Sequence, residues 1–206
     1  MSGTAQTDAQ IIDVNGNVAQ LQYYDPVALK YTLSPAVNPV TSPGKLAKTY
    51  SCSFNVAAAA AATDIATISG NALTTCYITR IVLSATQTTA GLSDTLLIKR
   101  STADTGGTST AQTNVPHDSS DAAANSIVLA YTANPAALGT AVGSIRRGYL
   151  PVAGATSVVN PIVVFDFGDK GKEIILRGIA QQLAVNLNGA TLAGGAFDIN
   201  IEWFEV

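Results

Sequence analysis

From about residue 47 onward, short runs rich in β-branched and aromatic residues are broken by Gly, Pro, Asn and Asp clusters every ten to twenty residues or so, with no helix-length amphipathic segment between them. A chain of this kind cannot cross from strand to parallel strand through packed helices, so it must build its core from sheet faces alone. The clearest run is Thr49–Val56, where Tyr50, Cys52, Phe54 and Val56 alternate with Thr49, Ser51, Ser53 and Asn55, the period of a half-buried strand. Residues 196–204 alternate in the same way, with Phe197, Ile199, Ile201 and Trp203 on one side and Asp198, Asn200, Glu202 and Phe204 on the other. Further strands are predicted at 95–100, 126–132, 140–147, 162–167, 173–178 and 181–187, separated for the most part by Gly106-Gly107, Asn134-Pro135, Gly168-Asp169-Lys170-Gly171, Asn188-Gly189 and Gly194-Gly195. The alanine run 57–62 reads as strand because it leads into Thr63-Asp64-Ile65-Ala66-Thr67-Ile68, and Ser69-Gly70-Asn71 then predicts a hairpin pairing that run with 75–83. The expected fold is all-β, an antiparallel sandwich of jelly-roll type.

Residues 1–46 read differently. Pro26, Pro35, Pro39 and Pro43-Gly44 interrupt any sustained period, and proline survives in extended segments at sheet edges or lying over another surface. The division is therefore an extended N-terminal arm, 1–46, and a β domain, 47–206. A tail with partial order is one reading of the arm. The other is a clasp on a neighbouring subunit, since Ile11, Ile12, Tyr23, Tyr24 and Tyr31, together with Val14, Leu21, Leu29 and Leu33, are too apolar for a purely solvated tail; those first five are the candidate partner-binding residues.

Composition narrows the function classes. Charged residues are 12% of the chain, against about 25% in ordinary soluble domains. Thr (23), Ser (15) and Ala (33) supply an uncharged polar surface instead. A net charge of −3 excludes a global basic footprint for nucleic acid or an anionic membrane. The N-terminus lacks the basic and apolar regions of a signal peptide, and the uncharged stretch 122–145 carries Asn125, Asn134-Pro135, Gly139 and Gly143, which argue against a membrane span. Cys52 and Cys76 read as buried, reduced thiols, with a disulfide between them the second reading.

No catalytic motif emerges. The single histidine, His117, has Asp118 and Ser119 beside it in sequence only, which does not supply triad geometry. Asp104, Asp118 and Asp121 read as solvated loop carboxylates, lacking the spacing of a calcium loop. Asp166-Phe167-Gly168 reads as a strand end and turn, without the companions of a kinase site, and Gly44-Lys45 lacks the rest of a phosphate-cradling loop. Glu202 and Glu205 are the acid pair a glycosidase would need, with nothing to support them. Lys99-Arg100 and Arg146-Arg147 are the strongest basic clusters, read as solvated strand ends or inter-subunit salt bridges. No metal, cofactor or enzymatic activity is expected.

The runs 62–70, Thr79-Arg80-Ile81, 86–91 and Lys99-Arg100-Ser101-Thr102-Ala103-Asp104-Thr105-Gly106-Gly107-Thr108-Ser109-Thr110 resemble a group of virion structural proteins of tailed bacteriophages. So do Val115-Pro116-His117-Asp118, 129–135, Val164-Phe165-Asp166-Phe167-Gly168 and 183–189, so that the resemblance covers roughly residues 55–204 and leaves the arm unmatched. It implies a non-enzymatic component of the phage particle, assembled in the bacterial cytoplasm. The form first expected is a homotrimeric capsid decoration (cement) protein on the outside of the head, bound to the major capsid protein, with no membrane or direct nucleic-acid partner. The alternative is a tail- or fibre-associated β-sandwich that contacts host carbohydrate or anchors a fibre, with Tyr149 as the one loop-like aromatic.

Overall fold

A computed structural model describes residues 10–12, 18–25, 30–33, 47–154, 156, 161–168, 171–190 and 195–206. Val14, Leu29, the four prolines at 26, 35, 39 and 43, Gly44-Lys45, the Asp169-Lys170 step and Gly194 lie outside them. The chain divides into two compact units, Met1–Leu46 and Ala47–Val206.

In the first unit, β1 (Gln10–Ile12), β2 (Val18–Asp25) and β3 (Lys30–Leu33) form an antiparallel sheet with β2 in the centre. Its register sets Ile11 opposite Gln20, Tyr23 opposite Thr32 and Tyr24 opposite Tyr31.

The second unit is all-β, with no helix among its described residues. Its strands are β4 (Lys48–Ala57), β5 (Ala62–Ser69), β6 (Cys76–Gln87), β7 (Gly91–Arg100), β8 (Thr108–Ala111), β9 (Val115–Pro116), β10 (Ile127–Ala133), β11 (Ala141–Gly154), β12 (Ile162–Asp166), β13 (Ile174–Leu176), β14 (Gln182–Ala190) and β15 (Ala196–Glu205). They make one curled, mixed sheet of 12 strands in the order β8-β10-β5-β14-β7-β11-β6-β15-β4-β9, with β12 and β13 also paired to β6. The expectation of a wholly antiparallel sheet is corrected at one place. β11 runs antiparallel to β7 over most of its length, then its last two residues pair parallel to β6, Ala153 with Thr86 and Gly154 with Gln87. One long strand thus links two limbs of the sheet, β8 to β11 and β6 to β9.

Both limbs feed a single core. Ile65, Ile68, Leu97, Leu183 and Val185 come from one, and Cys52, Ile81, Leu83, Ile201 and Trp203 from the other. The Trp203 and Tyr50 rings stack with centroids 5.7 Å apart, in register across β15 and β4. Cys52 and Cys76 are buried free thiols, pushed up by burial to about 11 and about 12.

The hairpin expected between 62–68 and 75–83 does not form. β5 pairs with β10 and β14, whereas β6 pairs with β15, β11, β12 and β13 in the other limb. The Ser69-Gly70-Asn71 signal marks a corner at which the chain changes limb. There Gly70 donates to Gln181 O and Gly178 to Asn71 O, and a Cβ on Gly70 would sit 2.6 Å from Gly178 O. The alanine run is likewise not continuous strand. Residues 58–61 turn the chain from β4 to β5 with Ala61 at φ 51°, and Asn134 clamps the turn by accepting from Thr63 N and donating to Ala61 O. Asn188-Gly189 does not end a strand either. Both residues have positive φ and form an irregularity within β14, between the Asn186–Asp64 and Ala190–Ala62 pairings.

Candidate functional site

The sequence candidates scatter over the fold. Ile11 and Ile12 lie in β1, Tyr23 and Tyr24 in β2, and Tyr31 in β3. His117 is exposed just after β9, its amide donating to Thr49 O at 2.9 Å, while Asp118 accepts from the amide and hydroxyl of Ser120, which hold its carboxyl below the ordinary value. Asp118 is therefore engaged by the turn. Asp166 ends β12 and accepts from Gly168 N, and Phe167 enters the core, so that tripeptide is a strand end and turn. Glu202 and Glu205 stand on opposite faces of β15, Glu202 beside Arg80 at 3.5 Å and Glu205 buried. Among the described residues no group of three or more His, Cys, Asp or Glu is placed to hold a metal ion.

Of the two basic dipeptides, Lys99-Arg100 is drawn into the fold and Arg146-Arg147 is exposed. Strand alternation sends Lys99 and Arg100 to opposite faces: Lys99 Nζ donates to Ile175 O at 2.8 Å, while Arg100 is 3% exposed. Arg147 makes a bidentate pair with Asp94 at 3.0 and 2.7 Å, and the Arg146 guanidinium lies over the Phe167 ring, 5.4 Å from its centroid. Arg147 holds the Asp94 carboxyl below its ordinary value, helped by Asn188 Nδ2 at 3.0 Å.

Two features of the β7–β14 limb were not foreseen from sequence. The first is a solvent-facing patch. Tyr149 belongs to β11 rather than to a loop and is 64% exposed. Opposite it in register is Asp94, and next along the same face Pro151 meets Leu92, itself 68% exposed. An aromatic ring, two apolar side chains and the Asp94–Arg147 pair with Asn188 thus present one mixed surface, suited to contact with another molecule rather than to proton transfer.

The second is a buried charge cluster on the face of β5, β14 and β7 turned away from the core. Arg100 donates from Nε to Asp64 Oδ2 at 2.7 Å and from Nη2 to Asp64 Oδ1 at 2.9 Å, and from Nη1 to Gly139 O at 2.7 Å. Asn186 Nδ2 also donates to Asp64 Oδ1. Asp104 lies 3.3 Å from Arg100 Nε through Oδ1, which accepts from Gly139 N at 2.7 Å, while its own amide donates to Gln182 Oε1 at 2.8 Å. The reading of Asp104 as a solvated loop carboxylate is thereby corrected. It is buried because segments 101–107 and 134–140 fold over the sheet, bonded to each other by Thr105 and Ala137 in both directions and by Thr140 N to Thr102 Oγ1. Only glycine fits at 139, where a Cβ would lie 1.9 Å from Thr102 O. Burial and the Asp64 carboxylate raise Asp104 to about 6 against the opposing pull of Gly139 N and Arg100.

A shallow pocket of about 380 Å³ opens on the other limb, lined by Ser53, Phe54, Val82, Ser84, Asp198 and Asn200 among others. Within it Asn200 donates to Ser53 Oγ at 2.6 Å, and Asn55, beside it, to Asp198 Oδ1 at 2.8 Å. No family model, no curated protein and no solved structure matches this chain.

Proposed function

We propose that this chain is a non-enzymatic structural subunit of a tailed-phage particle, a capsid decoration protein that binds the outside of the head as a homotrimer and stabilises contacts between capsomers. The observation that carries the reading is the division into two units at residues 46 and 47: a small three-stranded N-terminal sheet and a large all-β body. One unit serves to attach and the other to project, and repeated attachment is strong even where each contact is weak. The sequence resemblance over residues 55–204 and the low-charge, Thr/Ser/Ala-rich composition support the same reading. A second reading, attachment to host carbohydrate from a tail or fibre, is favoured by the exposed Tyr149 ring with hydrogen-bonding groups beside it.

The test is the molar mass of the purified protein by light scattering, followed by its mixing with shells that lack it. A trimer that binds at hundreds of copies and raises the heat resistance of the shell supports cementing. A monomer that ignores shells and binds host cells or tail assemblies through Tyr149 replaces it with the second reading.

A further inference from the structure

The cluster on the outer face of β5, β14 and β7 has a charge imbalance. Two carboxylates, Asp64 and Asp104, share one guanidinium, and the side chains of Asp64, Asp104 and Arg100 are 0%, 0% and 4% exposed. The other groups facing them are uncharged: Gln182 and Asn186 from β14, Thr67 from β5, and Tyr131 from β10, whose hydroxyl burial pushes further up, away from ionisation. Every Asp64 oxygen is supplied with donors, whereas Asp104 Oδ2 is buried and receives no hydrogen bond from any described residue. Ionised, Asp104 leaves the cluster with one uncompensated negative charge and an orphan acceptor. Protonated, it neutralises the cluster and gives Oδ2 a hydrogen to donate to the neighbouring Asp64 carboxylate.

We propose that Asp64, Arg100 and Asp104 form an acid-set latch, which fastens segments 101–107 and 134–140 to the sheet when Asp104 carries a proton and loosens them when it loses it. The fastening runs through named bonds. Asp104 is tied to Gly139 N by its side chain and to Gln182 by its amide, and Arg100 holds Gly139 O, so the state of one carboxyl is felt by both segments. With Asp104 raised to about 6, the change falls in the mildly acidic range. The sign is the reverse of the common carboxylate case. Between about pH 4 and pH 6 the native chain keeps a proton that an unfolded aspartate has already lost, so stability falls as pH rises through that window and stays at the lower level above it.

The experiment is amide hydrogen exchange on the full chain, corrected for intrinsic rates, at pH 5 and pH 7, with D104N alongside. Asparagine keeps the Oδ1 acceptor and places a permanent donor where the acid proton would be. Protection of Gly139 and Asp104 amides in the natural chain should be up to about tenfold higher at pH 5 than at pH 7, and D104N should hold the pH 5 level at both. Equal protection at the two pH values, or a pH effect that persists undiminished in D104N, overturns the latch. Should D104N fail to fold, the carbon resonance of the Asp104 carboxyl in the natural chain decides. A titration midpoint near 6 supports the proposal, and one in the ordinary aspartate range refutes it.

Discussion

Of the three carboxylates buried among the described residues of the body, Glu205 and Asp104 are treated in opposite ways. Glu205, at the end of β15, has no cation partner among the described residues. It accepts from Asn125 N, Ser126 N, Thr74 Oγ1 and Trp203 Nε1 at 2.8–3.2 Å, and although burial pushes it up, these donors leave it below the ordinary glutamate value. Asp104 has an arginine beside it and is nevertheless raised, first by burial and then by the neighbouring Asp64 carboxylate, to which that arginine is committed, and its Oδ2 has no donor among the described residues. At Glu205 the donors aimed at the oxygens outweigh burial, whereas at Asp104 burial and the Asp64 carboxylate outweigh Gly139 N and Arg100. The two sites also do different work: Glu205 ties the 122–126 segment to the core edge for as long as it is ionised, while Asp104 is satisfied only when it is not.

The comparison breaks most completely at Arg100. R100M should cost about 3–5 kcal/mol at pH 7, since it leaves two buried carboxylates without their cation, and should be rescued in part by acid; denaturant melts at several pH values check both statements. E205Q comes next, at about 1–3 kcal/mol, because an amide retains one acceptor but turns a donor toward other donors. In the natural chain the Glu205 contribution is present above the ordinary glutamate pKa and is lost as pH falls through its lowered value, so E205Q should flatten the acid limb of a stability profile while D104N alters its mildly acidic part. Two separate changes in one profile are the sharpest form of the contrast. G139A should cost about 1–3 kcal/mol by driving a methyl into Thr102 O, with exchange accelerated in 101–107 and 134–140 and unchanged around Glu205. The smallest effect belongs to R147A. Its pair with Asp94 is solvent-exposed, and thermal melts should show no measurable shift, a control that separates charge pairing at the surface from charge pairing inside.

Much of the strand content was legible because one face of a strand is apolar and the other polar. The alternation at Thr49–Val56 and 196–204 places β4 and β15 within a residue or two, and continuing the parity Phe197, Ile199, Ile201, Trp203 one step puts Glu205 on the inner face, a signal that was there to be read. Partners were not legible. The turn chemistry at 69–71 states that the chain bends, but not that it bends across the core to the other limb, since that depends on β14 and β10 arriving from far along the sequence. The charge cluster was hidden for a similar reason. Asp104 sits in a polar Ser-Thr-Ala-Asp-Thr stretch that looks solvated, and only the fold brings 134–140 over it. Asp64 was the better clue, a carboxylate within an apolar, β-branched strand, which calls for a buried partner. The two-residue β9 and the exposed β8 carry too little pattern to be found at all.

The arrangement of the sheet's margins has a consequence for crowding. The ten-strand path ends in β8, four exposed residues of Thr, Ser and Ala, and β9, two residues ending in a proline, while β12 and β13, each paired to β6 alone, are five and three residues long. Along β11 two register shifts, the Arg146-Arg147 step and Pro151 interrupt any flat template. Copies meeting at the β8 or β9 margin would therefore touch side chain to side chain, without zipping backbone to backbone into a fibre.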